Sequence, residues 1–246
     1  RQIGKTWLIR EEIAKSGYRK FEVNFIDQPD LVDYLNVKMS ANEFLVKLKM
    51  IMPEDCKPQE TVVFFDEIQK CPEIVTKIKF LVEEGSFKYV MSGSLLGVEL
   101  KGITSVPVGY LTVLTMYPMD FEEFLMAAGE TDLCDLLHQP DWEILKILSL
   151  KYIDLLRQYY YVGGMPEVVD CFFQHQNLQE VRDKQTEILD AYRRDISKHT
   201  TPTESIRIGQ VLQSLPSQLA KENKKFIYNV LKKGARATEY ELAIQW

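Results

Sequence analysis

The first six residues constrain the fold of this chain more than any other stretch. They read Arg-Gln-Ile-Gly-Lys-Thr, the second half of the phosphate-binding (Walker A) pattern G-x-x-x-x-G-K-[ST]. In that pattern Gly4 lets the backbone approach an anion, Lys5 contacts the β- and γ-phosphates, and Thr6 offers its hydroxyl to Mg²⁺. Residues 7–15 continue with the helical spacing that such a loop requires. The first glycine of the pattern would precede Arg1, so we expect the natural chain to begin earlier, with the strand that delivers the loop.

A second stretch completes the pattern. Residues 61–65 are mostly apolar and are followed by two carboxylates, Asp66 and Glu67, which is typical of a buried parallel strand. Carboxylates in that position are costly unless a cation compensates them. As a Walker B strand, it would use Asp66 to hold Mg²⁺ through its water shell and Glu67 to polarise the attacking water. The two stretches together predict an ATP and Mg²⁺ site, against the alternatives of a chance G-K-T and a strand that ends in solvated acids.

Strands and helices alternate along the first half of the chain. We predict strands at 21–27, 61–67 and 87–94, and helices at 7–15, 41–51 and 71–84. This alternation indicates an α/β fold, a parallel sheet with helices on both faces. Ligands of such sheets bind at the C-terminal ends of the strands, where Asp66 and Ser92 would both lie. Ser92 or Ser94 could there sense the γ-phosphate or the attacking water, and the alternative is a serine that caps the next turn.

Several stretches together resemble one family. They are residues 1–6, 65–69 (Phe-Asp-Glu-Ile-Gln), 92–94 (Ser-Gly-Ser), 117–124 (Tyr-Pro-Met-Asp-Phe-Glu-Glu-Phe), 161–169 (Tyr-Val-Gly-Gly-Met-Pro-Glu-Val-Val), 192–196 (Tyr-Arg-Arg-Asp-Ile) and 233–236 (Lys-Gly-Ala-Arg). On these the chain resembles the bacterial and archaeal AAA-type P-loop ATPases that carry a C-terminal nuclease-like domain of unknown function. The resemblance implies that the natural chain continues into that domain. One departure is Gly109-Tyr110, where the family commonly has Gly-Arg, because tyrosine cannot supply the charge of an arginine to a nucleotide site.

The second half of the chain is predicted to be helical. We expect an AAA-type nucleotide-binding core at 1–130 without its first strand, a helical lid at 131–200, and an incomplete winged-helix-like module at 201–246. In the module, helices are expected to start at 206, to cover 224–231 and to cover 237–246. Arg193 and Arg194, near the end of a helix at 178–198, could reach a phosphate of this subunit or of a neighbour in a homo-oligomer. The alternative is an ordinary salt-bridged helix face.

Composition and charge bear on the membrane, the metal sites, the disulfides and the cellular compartment to be expected. The chain is 46% hydrophobic and 27% charged, and it has no apolar run of membrane-spanning length, so we expect no membrane partner. The four cysteines and three histidines are scattered without a C-x-x-C pair, which predicts neither a zinc site nor disulfides and favours the cytoplasm. Residues 198–246 carry a charge of +4 and the remainder −10, within a net charge of −6.

The sequence thus supports two functional hypotheses. The first is a Mg²⁺-dependent ATPase that uses Lys5 for phosphate charge, Thr6 and Asp66 for the metal, Glu67 for water and Ser92 for sensing. The alternative is a nucleotide-regulated nucleic-acid-binding or interaction protein with little turnover. Its basic C-terminal segment would contact DNA or another protein, or would merely be solvated.

Overall fold

The chain divides into two compact units, Ile3–Tyr117 and Pro118–Trp246. The computed structural model describes residues 2–93, 109–223 and 225–245. Within the first unit the elements in chain order are helix α1 (Lys5–Lys15), strand β1 (Arg19–Asn24), helices α2 (Pro29–Leu35) and α3 (Ala41–Ile51), strand β2 (Thr61–Asp66), a 3₁₀ turn (Ile68–Lys70), helix α4 (Glu73–Glu84) and strand β3 (Lys88–Met91).

The three described strands form a parallel sheet in the order β1-β2-β3, which confirms the predicted α/β class. Every residue of the central strand β2 is buried, as expected of a strand covered on both faces. Asn24 pairs in register with Asp66, so β1 and β2 end level with each other. The Ser92 amide donates to the Phe65 carbonyl at 2.9 Å, which brings the residue after β3 to the same edge.

Helices cover both faces of the sheet because successive side chains of β2 point in opposite directions. Val63 and Phe65 belong to the larger core, together with buried residues of α2, α3 and α4. Val62 and Phe64 pack with Ile13 of α1 on the other face. The helix that follows the G-K-T loop is therefore anchored to the strand that ends in Asp66.

Most elements of this unit were predictable from local signals. Helix α3 has the predicted bounds, and Ser40 and Glu43 close a capping box at its start. Helix α4 ends at Gly85, whose φ of 77° lies in the left-handed region that glycine favours. Helix α2 was not predicted; its Pro29 occupies the first helical turn, where the missing N–H costs nothing.

The regular elements described in the second unit are all helical. They are α5 (Phe121–Ala127), α6 (Thr131–His138), α7 (Trp142–Val162), α8 (Pro166–His175), α9 (Leu178–His199), α10 (Pro202–Leu219), a 3₁₀ turn (Tyr228–Val230) and α11 (Ala237–Gln245). Apolar clusters join α5 with α7, α8 and α9, and α10 with α11. None of the helices in the described ranges has both the length and the apolarity to cross a membrane.

Two adjacent glycines shape the turn between α7 and α8. Gly163 has φ 77° and ψ −174°, a conformation that is essentially restricted to glycine. Gly164 lies against the backbone of Met119, whose N–H donates to the Gly164 carbonyl at 2.7 Å. The Tyr159 hydroxyl donates to the Met119 carbonyl at 2.9 Å. The Gly-Gly pair therefore fixes the chain just before α5 against the end of α7.

The helix predicted at 224–231 is wrong. Residues 225–231 contain only the 3₁₀ turn Tyr228–Val230. Gln218 is buried, and its amide pairs with both backbone groups of Ile227, accepting from its N–H at 3.1 Å and donating to its carbonyl at 2.9 Å. This pairing holds Ile227 extended, so no helix can pass through it. The winged-helix arrangement and the boundaries at 130 and 200 stay predictions.

Candidate functional site

Helix α1 begins at the G-K-T stretch, and its first turn suits an anion. Gly4 precedes the helix with φ 80° and ψ 13°, a left-handed conformation that costs glycine little. The Gly4 carbonyl accepts the first helical hydrogen bond, from Leu8 at 2.9 Å. Among the described residues no side chain caps this helix, and its first turn has no acidic residue. The N–H groups and the positive end of the helix dipole are thus available to a negatively charged ligand.

Asp66 is the centre of the site. It is the last residue of β2 and is 1% exposed, so its carboxylate needs hydrogen-bond donors. Oδ2 accepts from the Thr6 hydroxyl at 2.9 Å and from the Asn24 amide at 3.3 Å. Oδ1 accepts from the Ser92 hydroxyl at 2.6 Å and from the Glu67 backbone N–H at 3.1 Å. Four donors from four chain segments therefore compensate the buried charge.

The predicted residues Thr6 and Ser92 meet at this carboxylate. Thr6 lies in the first turn of α1, 60 positions from Asp66, so the hydrogen bond between them joins the two sequence stretches directly. Ser92 is 4% exposed and its carbonyl accepts from the Ile68 amide at 3.0 Å. Ser94, the other serine considered, lies outside the described residues.

The side chains of Lys5 and Glu67 form no hydrogen bond with Asp66 among the described residues. Lys5 is half-buried, and its ammonium forms no hydrogen bond or ion pair with any residue in the described ranges. Glu67 has a left-handed backbone, φ 57° and ψ 45°, which is uncommon outside glycine and typical of functional turns. Its carboxylate accepts a hydrogen bond from the Gln69 side-chain amide.

Comparison with family models decides the classification. A model described as an AAA domain matches residues 1–125, half of the chain. The chain belongs to the AAA domain family. A second model, a domain of unknown function (DUF8612), matches residues 153–246. No curated protein matches the chain. The resemblance to AAA-type P-loop proteins is thereby confirmed for the AAA domain, and the C-terminal match is consistent with a domain of unknown function.

Asn24 is a site residue of the AAA domain that the sequence reasoning missed. Its side-chain amide donates to Asp66, while its Oδ1 accepts from the amides of Ile26 and Asp27 at 2.9 and 3.1 Å. The second pair of bonds forms an Asx turn that fixes the side chain. The predicted strand continued to residue 27, whereas β1 ends at Asn24, level with Asp66 at the edge where neighbouring parallel strands end.

Charged residues next to this edge shape its electrostatics. Arg10 of α1 forms a bidentate hydrogen bond with Glu22 of β1, and Lys20 contacts the same carboxylate at 2.6 Å. Burial acts to raise the pKa of Glu22, but the hydrogen bonds from Arg10 and Lys20 outweigh it, so this pKa is lowered. The hydrogen bond to Glu22 raises the pKa of Arg10, with smaller contributions from Asp66 and Asp27. Arg10 is thus committed to Glu22.

Tyr110 lies at the other edge of the sheet. Its hydroxyl donates to Glu83 at 2.5 Å, and the Lys79 ammonium lies 5.3 Å from the centre of its ring. Both partners are near the C-terminal end of α4, which leads directly into the start of β3. The Gln59 amide, just before β2, donates to the carbonyl of Ser86 at 2.7 Å, which confirms that this region flanks the strand beginnings.

The two candidate arginines of the second unit differ. Arg193 forms an ion pair with Asp190 three residues earlier, at 2.7 Å, which matches the salt-bridged alternative. Arg194 is exposed.

Proposed function

We propose that this AAA domain binds ATP with Mg²⁺ and hydrolyses the bond between its β- and γ-phosphates. The observation that carries the proposal is the pair of hydrogen bonds from Thr6 and Ser92 to Asp66. These bonds gather the start of α1 and the ends of β2 and β3 into one cluster. Phosphoryl transfer requires little covalent chemistry from a protein, so catalysis comes from positioning and electrostatics, which such a cluster can supply.

The start of α1 fits a polyphosphate. Gly4 supplies the left-handed backbone just before the helix, and the N–H groups of the first turn have no side-chain cap among the described residues. Lys5 supplies a positive charge that no described residue neutralises. We assign Gly4 and Lys5 to phosphate binding.

Thr6 and Asp66 fit Mg²⁺, which prefers hard oxygen ligands and keeps several of its waters. The Thr6 hydroxyl has one proton, and it donates this proton to Asp66, so its lone pairs remain available to a cation. Asp66 already accepts four hydrogen bonds, which favours a role through the water shell of the ion over direct ligation. When bound, Mg²⁺ would neutralise charge on the phosphate oxygens.

Glu67 and Ser92 have different tasks in this proposal. Glu67 follows Asp66 directly, but its backbone conformation turns it out of the strand, and it is only half-buried. We assign it to polarising the attacking water and Ser92 to sensing the γ-phosphate. Ser92 is suited to sensing because its backbone contacts Phe65 and Ile68 while its hydroxyl contacts Asp66.

The decisive experiment separates the two carboxylates in the full-length protein. Glu67→Gln should keep ATP affinity within about threefold and lower turnover by at least about 100-fold, because the metal ligands remain while the group acting on water is lost. Asp66→Ala should weaken Mg²⁺-dependent binding itself. Glu60→Gln, an exposed change just before the opposite end of β2, is the matched control and should change neither. Equal turnover in all three variants would refute the assignment.

A second function is favoured by the surface charge of the C-terminal segment. Lys225, Lys232, Lys233 and Arg236 are exposed between α10 and α11, and within the described ranges none of them forms an ion pair. We propose that this basic segment contacts a nucleic-acid backbone, with nucleotide state regulating the contact. Lys224, in the same stretch, lies outside the described residues.

Salt dependence tests this second function. Each phosphate contact adds about 0.7–0.9 to the slope of log affinity against log salt. Replacing Lys224, Lys225, Lys232 and Lys233 by glutamine should flatten that slope and weaken binding to all DNA sequences alike. The full-length protein with ATP is titrated with single- and double-stranded DNA at several salt concentrations. No binding at low salt would leave these lysines as a solvated surface.

We extend the proposal to the domain organisation of the chain. We retain the core to residue 130, the helical lid at 131–200 and the winged-helix-like module at 201–246, with a nuclease-like domain following in the natural chain. We further extend the proposal to a homo-oligomer in the cytoplasm, in which the exposed Arg194 of one subunit would reach a phosphate bound to its neighbour.

A further inference from the structure

A cluster of three metal-binding side chains lies at the turn between α8 and α9, within the second unit. It consists of Cys171, His175 and Glu180, whose ligand atoms all lie within 4.8 Å of one another. We propose that these residues form a zinc site that is separate from the Asp66 site. The scattered cysteines and histidines of the sequence predicted no such site, because the third ligand is a carboxylate contributed by the next helix.

Helix geometry brings the first two ligands together. Cys171 and His175 are four residues apart on α8 and therefore lie on one face. The thiol sulfur is 4.0 Å from Nδ1 of His175. This spacing is suitable for two ligands of one ion, and both side chains leave the helix in the same direction.

The turn between the helices supplies the third ligand. Gln176 ends α8 with a left-handed backbone, and Asn177 caps the start of α9, so only two residues separate the helices. This short connection places Glu180, in the first turn of α9, beside His175, with Oε2 at 2.5 Å from Nδ1. The Asn177 side-chain amide donates to the other oxygen, Oε1, at 2.8 Å. Such an outer hydrogen bond orients a metal-binding carboxylate.

The distances fit zinc after small movements. With bonds of about 2.3 Å to sulfur and about 2.0–2.1 Å to nitrogen and oxygen, a tetrahedral zinc ion separates its ligand atoms by about 3.3–3.6 Å. The observed 4.0 Å and 2.5 Å bracket this range, so these two pairs have to move by less than about 1 Å, and the third pair, which lies within 4.8 Å, by at most about 1.2 Å. Glutamate and cysteine side chains can do this by rotation, with the helices unchanged.

The donor set favours zinc over the hard cations. A thiolate, an imidazole and one carboxylate match the borderline-soft character of Zn²⁺, whereas Mg²⁺ prefers oxygen alone. His175 and Glu180 are about half-exposed, so an ion can enter and a water can occupy a fourth position. Three ligands from two helices would then link α8 to α9. Binding requires the thiol and Nδ1 to give up their protons, so it should weaken at acid pH.

Cobalt provides a direct test because thiolate ligation to Co²⁺ gives a charge-transfer band in the near ultraviolet. We expect the metal-free full chain, with Mg²⁺ in excess, to develop this band with one Co²⁺ per chain and to lose it when Zn²⁺ is added. Cys171→Ser and His175→Ala should abolish the band, and Asn177→Ala should lower the affinity about 10–100-fold. Cys56→Ser is the matched control, a comparably half-buried cysteine of the first unit, and should leave the band unchanged.

Alkylation of the thiols keeps the proposal testable if a variant folds poorly. In the unmodified protein Zn²⁺ should slow alkylation of Cys171 at least about tenfold and leave Cys56 unaffected, as measured by peptide mass spectrometry. A band that persists in Cys171→Ser, or equal alkylation of Cys171 with and without Zn²⁺, would overturn the zinc site. Asp66→Ala should leave the band intact, which separates this result from the fate of the ATP proposal.

Discussion

Gly164→Ala is predicted to destabilise the second unit strongly. A Cβ atom added to Gly164 would lie 2.0 Å from the Met119 carbonyl oxygen and 3.0 Å from its carbonyl carbon and amide nitrogen. All three atoms belong to the backbone, so no side-chain rotation can relieve the contact. Because protein interiors are close-packed, the contact can be relieved only if the segments around Gly164 and Met119 move apart by more than about 1 Å.

That movement has a calculable cost. It breaks the hydrogen bond from the Met119 amide to the Gly164 carbonyl and the bond from the Tyr159 hydroxyl to Met119. At about 1 kcal/mol each, with about 1–3 kcal/mol for overpacking, the free energy of unfolding should fall by about 3–5 kcal/mol. The melting temperature of the second unit should then fall by about 6–20 °C.

Gly209→Ala is the matched control, because it introduces the same methyl group without a contact. Gly209 lies inside α10, and nothing lies within 4 Å of the added Cβ. Alanine is better than glycine in a helix by about 1 kcal/mol, so this variant should melt at or above the wild-type temperature. Thermal unfolding followed by circular dichroism measures both. A Gly164→Ala protein that melts within about 2 °C of wild type would refute the close backbone approach.

Two further predictions concern the first unit. Asn24→Ala should weaken Mg²⁺-dependent ATP binding about fivefold, because the loss of one donor to Asp66 costs about 1 kcal/mol. Calorimetry on the full-length protein measures the affinity, and an unchanged value would remove Asn24 from the site. Glu22 has a lowered pKa in the folded chain, so its stabilising contribution is present above its unfolded pKa and is lost as the pH falls through the folded value. The free energy of unfolding should therefore fall less between pH 7 and pH 3 in Glu22→Gln than in the wild type, by up to about 1 kcal/mol. Urea titrations at the two pH values measure this difference, and an equal fall in both proteins would contradict the prediction.

The candidate site was largely predictable because its members follow a geometric rule. A G-K-T stretch before a helix and an acid at the end of an apolar strand both specify backbone positions, and parallel strands bring their C-terminal ends to one edge. Thr6, Asp66 and Ser92 meet there. Asn24 was not predicted because its contribution depends on register: a shift of one residue in β1 would turn its side chain to the other face.

Two other features could not be predicted from the spacing of apolar residues, because they depend on tertiary contacts. The apolar residues around Phe226 and Leu231 have helical spacing, but Gln218, which is nine residues before Ile227, holds that residue in an extended conformation through two backbone hydrogen bonds. Tertiary contacts of this kind override local propensity. The proposed zinc ligands were missed for a similar reason, since the turn after His175, and not a sequence motif, brings Glu180 back to it.

The position of Tyr110 bears on whether a tyrosine in place of the family's arginine affects the Asp66 site. The resemblance implies an arginine at this position, and tyrosine cannot supply its charge to a nucleotide site. Tyr110 is hydrogen-bonded to Glu83 near the end of α4, at the edge where the strands begin, whereas Asp66 lies where β2 ends. Since β2 is six residues long, about 20 Å of sheet separates the two edges. The tyrosine therefore removes no charge from the Asp66 edge of its own chain, and the groups proposed for hydrolysis there remain complete without it.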